Sequence, residues 1–113
     1  MIRPEQVFLA VEPIDMRMGA DGLSLLVQQG LGYAPGSGHA FAFRNRRGNR
    51  LKLLVWDGTG VWLCQRRLHQ GKFSWPTVND ALWQISEQQW QWLVMGVDWQ
   101  RLSARPDSLW LVG

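Results

Sequence analysis

Residues 40–68 read AFAFRNRRGNRLKLLVWDGTGVWLCQRRL, and this stretch decides the fold. Residues 40–44 alternate, with Phe41 and Phe43 on one face, as a half-buried strand does. Asn45-Arg46-Arg47-Gly48-Asn49 then supplies turn chemistry, and residues 51–57 resume an extended apolar run, so the two segments predict a hairpin with a basic tip. Asp57-Gly58-Thr59-Gly60 is a second tight turn. Residues 61–68 follow as a third strand, which makes a three-stranded antiparallel meander.

Upstream, the branched apolar run Val7-Phe8-Leu9-Ala10-Val11, closed by Glu12 and Pro13, reads as another strand. Asp15 stands where a helix N-cap belongs, Leu23, Leu26 and Val27 recur at helical spacing through residues 18–29, and Gly30-Leu31-Gly32 offers a left-handed stop. Residues 33–39 are a loop by composition. Downstream, residues 73–75 predict a short fourth strand ended by Pro76, while residues 78–85 fit either a short helix capped by Thr77 or an extended linker. Ser86 and Gln89 have capping-box spacing, Ile85 and Trp90 that of a hydrophobic staple, and Gly96 ends the helix that Trp90, Leu93 and Val94 outline. Trp99 is expected to pack back on the core. The predicted architecture is an α+β domain over residues 1–102, an antiparallel β-meander of three to five strands with two or three packed helices, followed by a variable tail over residues 103–113.

The 113 residues leave room for one domain. Hydrophobic residues make up 46% and charged residues 19%, a globular composition that excludes a disordered chain. The single cysteine, Cys64, makes neither an internal disulfide nor a Cys-based metal site, and no run approaches the ~20 apolar residues of a membrane span, so a soluble cytoplasmic protein is expected.

Charge is the main functional clue. Lys and Arg number 12 against 9 Asp and Glu, a net of +3, yet the balance is uneven. Arg44, Arg46, Arg47, Arg50, Lys52, Arg66, Arg67 and Lys72 face one acid, Asp57, within residues 44–72, while the rest of the chain is net acidic. Guanidinium groups pair with phosphate through two parallel hydrogen bonds, so this window is a candidate footprint for a phosphate backbone. Alternation suggests a face carrying Lys52, Trp56, Trp62 and Arg66, where charge and stacking would act together. The competing reading makes Trp56 and Trp62 cross-strand core partners and the arginines a solvated hairpin end. Eight Trp in the chain must partly be core, and any at the surface would suit stacking or a protein interface.

No catalytic set emerges. Asp15, Asp21, Asp57 and Asp98 invite comparison with a two-metal site, but capping and turn formation account for the acids at 15, 57 and 98. His39 and His69 have no companion at metal-ligand spacing, and Cys64 with His69 would point to opposite faces of one strand. Gly-Thr-Gly at 58–60 lacks the frame and lysine of a phosphate loop. No metal and no cofactor is expected.

Four ordered segments carry a resemblance: DMRMGADGL at 15–23, SGHAFAFRNRRGNRLKLLVWDGTGVWL at 37–63, RRLHQGKFSWP at 66–76 and GVDW at 96–99. Together they resemble the small TnpB accessory protein of the insertion sequence 66 family of bacterial transposons, from about residue 7 to Trp99. The resemblance implies a non-catalytic protein required for transposition and encoded beside a separate transposase. It also implies DNA, at transposon ends or target, as a partner, with the transposase as a second. The eight basic residues match the positions that would serve phosphate contact, with Arg66 where Lys is common. An adaptor that docks on the transposase through a Trp-rich surface, without touching DNA, is the alternative, and RNA in place of DNA stays open. Within the first motif, Asp15 reads as a cap and Arg17 as the partner of a nearby acid, the alternative being that Arg17 joins the basic surface or a partner contact.

Overall fold

Apolar side chains on both sides of three consecutive strands require cover on both sides, and that requirement sets the layers. In the computed structural model, which describes residue 4 and residues 6–32, 34–77 and 81–103, the strands are β1 (Gln6–Ala10), β2 (His39–Arg44), β3 (Arg50–Trp56), β4 (Val61–Arg67) and β5 (Leu82–Ile85). They form one sheet in the order β4-β3-β2-β1-β5. The expected meander is present, since β3 pairs antiparallel with both β2 and β4. β1 also pairs antiparallel with β5 but lies parallel to β2. A parallel pair needs a crossover, and helix α1 (Ala20–Leu25), continued by a π-helical turn over Leu26–Gly30, supplies it. The fold is α+β.

Phe8 and Ala10 of β1, Phe41 and Phe43 of β2 and Leu54 of β3 point to the side covered by Leu23 and Val27 of the crossover. Val7 and Leu9, Ala40 and Ala42, and Leu51, Leu53 and Val55 point to the other side. There they meet Phe73, Trp75, Trp90, Leu93 and Trp99, from α2 (Glu87–Val94), α3 (Trp99–Ser103) and the coil before β5. Small Ala40 and Ala42 lie on the side that receives the large indoles, which lets those rings approach the sheet closely.

The α2 termini follow the sequence signals. Ser86 accepts from the backbone N–H of Gln89 at 3.1 Å and the Gln89 side chain accepts from the N–H of Ser86 at 2.8 Å, a complete capping box. Gly96, at φ +80°, lets its own N–H reach the carbonyl of Leu93 and that of Val97 reach Trp92, both at 3.0 Å, which closes the last turn.

Three expectations are corrected. Asp15 does not cap the first helix: the N-cap is Gly19, without a side-chain bond. Asp15 is occupied instead by the backbone N–H of Arg17 at 2.9 Å and by its guanidinium at 2.7 Å. Residues 73–75 are not a strand. Phe73 and Trp75 are buried across the face of the sheet, the Trp75 indole donates to the carbonyl of Ala10 at 2.7 Å, and the Trp99 indole donates to that of Ser74. A segment pinned through its side chains to a sheet face has no edge to pair with. The fifth strand lies instead at Leu82–Ile85, within the stretch left open between helix and linker. The third correction concerns the proposed mixed face. β3 opposes β4 with Val55 facing Trp62 and Leu51 facing Arg66, so Trp62 and Arg66 lie on the α2 side. Lys52 and Trp56 lie on the α1 side, and the four residues share no face. Residues 104–113 of the expected tail and residues 78–80 of the expected linker lie outside the described residues.

Trp99 is 2% exposed with its N–H bonded, so Trp99→Ala should cost about 3–5 kcal/mol of unfolding free energy. Loss of the Ser86 cap in Ser86→Ala should cost about 1 kcal/mol. Urea denaturation of the two variants beside the parent checks both the sizes and their order.

Candidate nucleic-acid interface

The β2–β3 turn is organised by one side chain. The Asn45 side-chain oxygen accepts from the N–H of Gly48 at 2.9 Å and of Arg50 at 3.1 Å, while its amide donates to the Asn49 side chain at 2.8 Å. Gly48 is at φ +78°, a conformation that a side chain at this position would strain. Its carbonyl accepts from the N–H of Phe73 at 2.8 Å, and the carbonyl of Asn49 accepts from Leu68 at 2.9 Å. The loop after β4 is thereby folded against the turn, and the aliphatic stem of Lys72 lies beside Gly48. Arg46 and Arg47 protrude from the turn, exposed.

Immediately below the turn, Arg50 of β3 sits directly opposite Arg67 of β4. Both are exposed, and like charges so placed repel. Among the described residues, none of Arg46, Arg47, Arg50, Arg67 or Lys72 forms an ion pair with a carboxylate; the pair found there is Arg17 with Asp15. Arg50, Leu51, Gln65, Arg66 and Arg67 line a shallow depression of about 300 Å³ at this corner of the sheet.

The other three basic residues sit differently. Lys52 is 5% exposed, beneath the crossover, and its ammonium donates to the carbonyl of Met18 at 2.6 Å. Arg44 donates twice to the carbonyl of Val11, at 3.1 and 3.2 Å, tying β2 to the chain leaving β1. Arg66 is exposed but lies on the α2 side, where its Nε donates to the Val94 carbonyl at the helix C-terminus, a favourable place for a cation. The geometry therefore gathers Arg46, Arg47, Arg50, Arg67 and Lys72 at one end of the sheet, with Arg66 at its margin. Asn45, read from the sequence as part of the turn, was not among the candidate site residues; the structure adds that its side chain fixes the basic tip.

At the opposite end of the same hairpin, Asp57 accepts from the backbone N–H of Thr59 and of Gly60, both at 2.8 Å. It also accepts from the Trp62 indole at 2.7 Å. The bond from the Thr59 backbone, then that from the Trp62 indole, hold its carboxyl down to about 2. Asp15 is likewise held at about 2, first by the Arg17 guanidinium. Asp98 accepts from the Ser74 hydroxyl at 3.0 Å. Among the described residues no three His, Cys, Asp or Glu side chains gather around a common metal position, and no helix is long and apolar enough to cross a membrane.

Tryptophans mostly serve the core. Trp75, Trp90 and Trp99 are buried, Trp56, Trp83 and Trp92 are half-buried, and Trp62 is 52% exposed. Trp56 meets the Phe41 ring edge to face with centroids 5.5 Å apart. Trp110 lies outside the described residues.

The sequence model of the family described as "IS66 Orf2 like protein" matches residues 5–104. Two proteins of Sinorhizobium fredii, both described as uncharacterized, are similar over nearly their whole length. Protein y4jC is 38% identical over 109 residues, covering 94% of this chain and 93% of the relative. Protein y4hO is 37% identical over 105 residues, covering 93% and 88%. No solved structure matches the chain.

The Asp57 contacts exist only in the folded hairpin, so its carboxyl titrates lower when folded than the ordinary value near 3.9. The stabilisation is then complete above that value and is lost as pH falls toward 2. Carboxylate NMR should place the Asp57 midpoint near 2, and Trp62→Phe should move it upward.

Proposed function

Because this chain belongs to the IS66 Orf2-like family, and so is an accessory protein associated with transposition, we propose that it binds DNA without catalysis through the basic end of its sheet. One observation carries this reading: Arg50 and Arg67 are held opposite each other, flanked by Arg46, Arg47 and Lys72, with no carboxylate paired to any of them among the described residues. Maintaining such a cluster costs electrostatic free energy that an approaching polyanion relieves. Phosphate contact displaces condensed counterions and supplies affinity with little sequence choice. Arg66, with Nε bonded to Val94, lines the depression at the same corner. The proposed contact set leaves out Arg44, half-buried and tied to the Val11 carbonyl through Nε and one terminal nitrogen, and Lys52, whose ammonium is buried beneath the crossover. A turn backbone held by Asn45 presents the guanidinium groups without the further cost of ordering the loop on binding.

DNA at the transposon ends or target and the element's own transposase are the two proposed partners. The adaptor alternative, with no DNA contact, rests on exposed aromatic surface, and among the described tryptophans Trp62 alone is more than half exposed. The balance therefore favours DNA.

Replacing Arg46, Arg47 and Arg50 together with Ala should weaken binding to duplex DNA roughly tenfold or more and reduce the salt slope by about 3. Folding stability should stay within about 1 kcal/mol, since all three are surface side chains. Gel shift and fluorescence anisotropy over a salt series give the readout. Unchanged affinity would reject the reading, and capture of purified transposase by a protein that leaves DNA unshifted would establish the adaptor instead.

A further inference from the structure

β4 is an edge strand of an unusual kind. It is seven residues long, pairs with β3 one residue to one without a bulge, contains no proline, and has no strand on its outer side among the described residues. Long, regular edges with unpaired backbone groups are templates for another strand, and folded proteins normally blunt them. Two bonds establish which groups are free: the N–H of Asp57 donates to Gly60 at one end and that of Leu68 to Asn49 at the other. Alternation between them turns the backbone groups of Trp62, Cys64 and Arg66 toward β3. Those of Val61, Leu63, Gln65 and Arg67 are turned outward.

We propose that β4 pairs antiparallel with β4 of a second copy of this chain, about a two-fold axis at Cys64, joining the two sheets into one. This register opposes the whole strand. Val61 faces Arg67 and Leu63 faces Gln65 as backbone-bonded pairs, Trp62 faces Arg66, and Cys64 faces Cys64 as a non-bonded pair.

Charge complementarity selects the second copy as the occupant. The strand is bipolar: its first residues carry the Trp62 indole bonded to the Asp57 carboxylate, and its last carry Arg66 and Arg67. Antiparallel self-pairing brings the Arg66 of each copy over the indole and carboxylate of the other and keeps the arginines of the two copies apart. Parallel pairing would set them side by side. A guanidinium against an indole face adds cation–π attraction, strongest on Trp.

The shape agrees. Cys64, Arg66, Trp90, Val94 and Met95 line a groove of about 530 Å³ between β4 and α2, on the side to which Trp62 points. Met95 is 71% exposed at its rim. The proposed register carries the second copy's Trp62, itself half in solvent in the single chain, to that groove. A two-fold axis at Cys64 also directs the two basic ends to opposite sides of the joined sheet. That last consequence for DNA rests on the reading above; the dimer does not.

Sedimentation equilibrium of the full chain should show a reversible dimer. Cys64 is the only thiol, so oxidation by diamide reports the register directly. Opposed residues of a non-bonded antiparallel pair lie about 4.5 Å apart at Cα, within the range a disulfide spans. The parent should form a linked dimer, and Cys64→Ser combined with Gln65→Cys should link roughly tenfold more slowly or not at all, because residue 65 opposes residue 63. Gln65→Pro removes one outward N–H and no bond to β3, and should be monomeric. Trp62→Lys, which sets a like charge against Arg66, should weaken the dimer roughly tenfold. Thermal melts establish that both are folded. A monomer at every accessible concentration, equal linking from positions 64 and 65, or an unchanged dimer in folded Gln65→Pro and Trp62→Lys would each overturn the proposal. The triple arginine variant should dimerise like the parent, so loss of DNA binding and loss of the dimer are read separately.

Discussion

Cover on both faces of β1, β2 and β3 is the constraint from which the rest follows. Phe41 and Phe43 need one layer and Ala40 and Ala42 need another, so the chain must place helix on each side of a single sheet. The crossover supplies one layer, and α2, α3 and the indoles of Trp75 and Trp99 supply the other. With both faces closed, the strands have two places left for solvent-facing charged side chains, their ends and the uncovered outer strand. The solvent-facing basic residues of the meander are accordingly gathered at the Asn45 turn and along β4.

Lys52 shows how firmly the constraint acts. Its position in β3 turns it under the crossover, among Phe43, Leu54 and Met18, where a free ammonium would be costly. The Met18 carbonyl, just before the first turn of α1, takes it up at 2.6 Å. Arg44 is treated similarly, by the carbonyl of Val11. Both cations fasten the N-terminal crossover to the meander. Lys52, at 5% exposure, does not reach the surface that Arg46, Arg47 and Arg50 form, and Arg44 is half-buried.

A strand's period makes such assignments partly legible. Alternation identified β2, and the apolar run from Leu51 with the turn chemistry of Asn45 to Asn49 and Asp57 to Gly60, which strands cannot use, identified β3 and β4. The capping box at Ser86 and Gln89 and the stop at Gly96 are equally local, and both are found as read. Asp15 misled because its partner, Arg17, lies two residues away and competes for the same carboxylate. Residues 73–75 misled because the pattern of a strand and that of a segment pinned by large side chains to a sheet face are the same over three residues.

By itself, then, the sequence determined the α+β class, the meander, the basic turn and the family, since each rests on short-range pattern or on motifs in order along the chain. Only the tertiary structure decided that β1 enters the sheet parallel to β2 and that Leu82–Ile85 completes the other edge. It also decided that Trp62 and Arg66 part company from Lys52 and Trp56, and which cations meet solvent. The physical reason is common to all of these. Strand neighbours, register across a turn and the identity of the carbonyl that satisfies a buried cation depend on groups far apart in the chain, as Lys52 and Met18 are, and no local periodicity encodes which of them will meet.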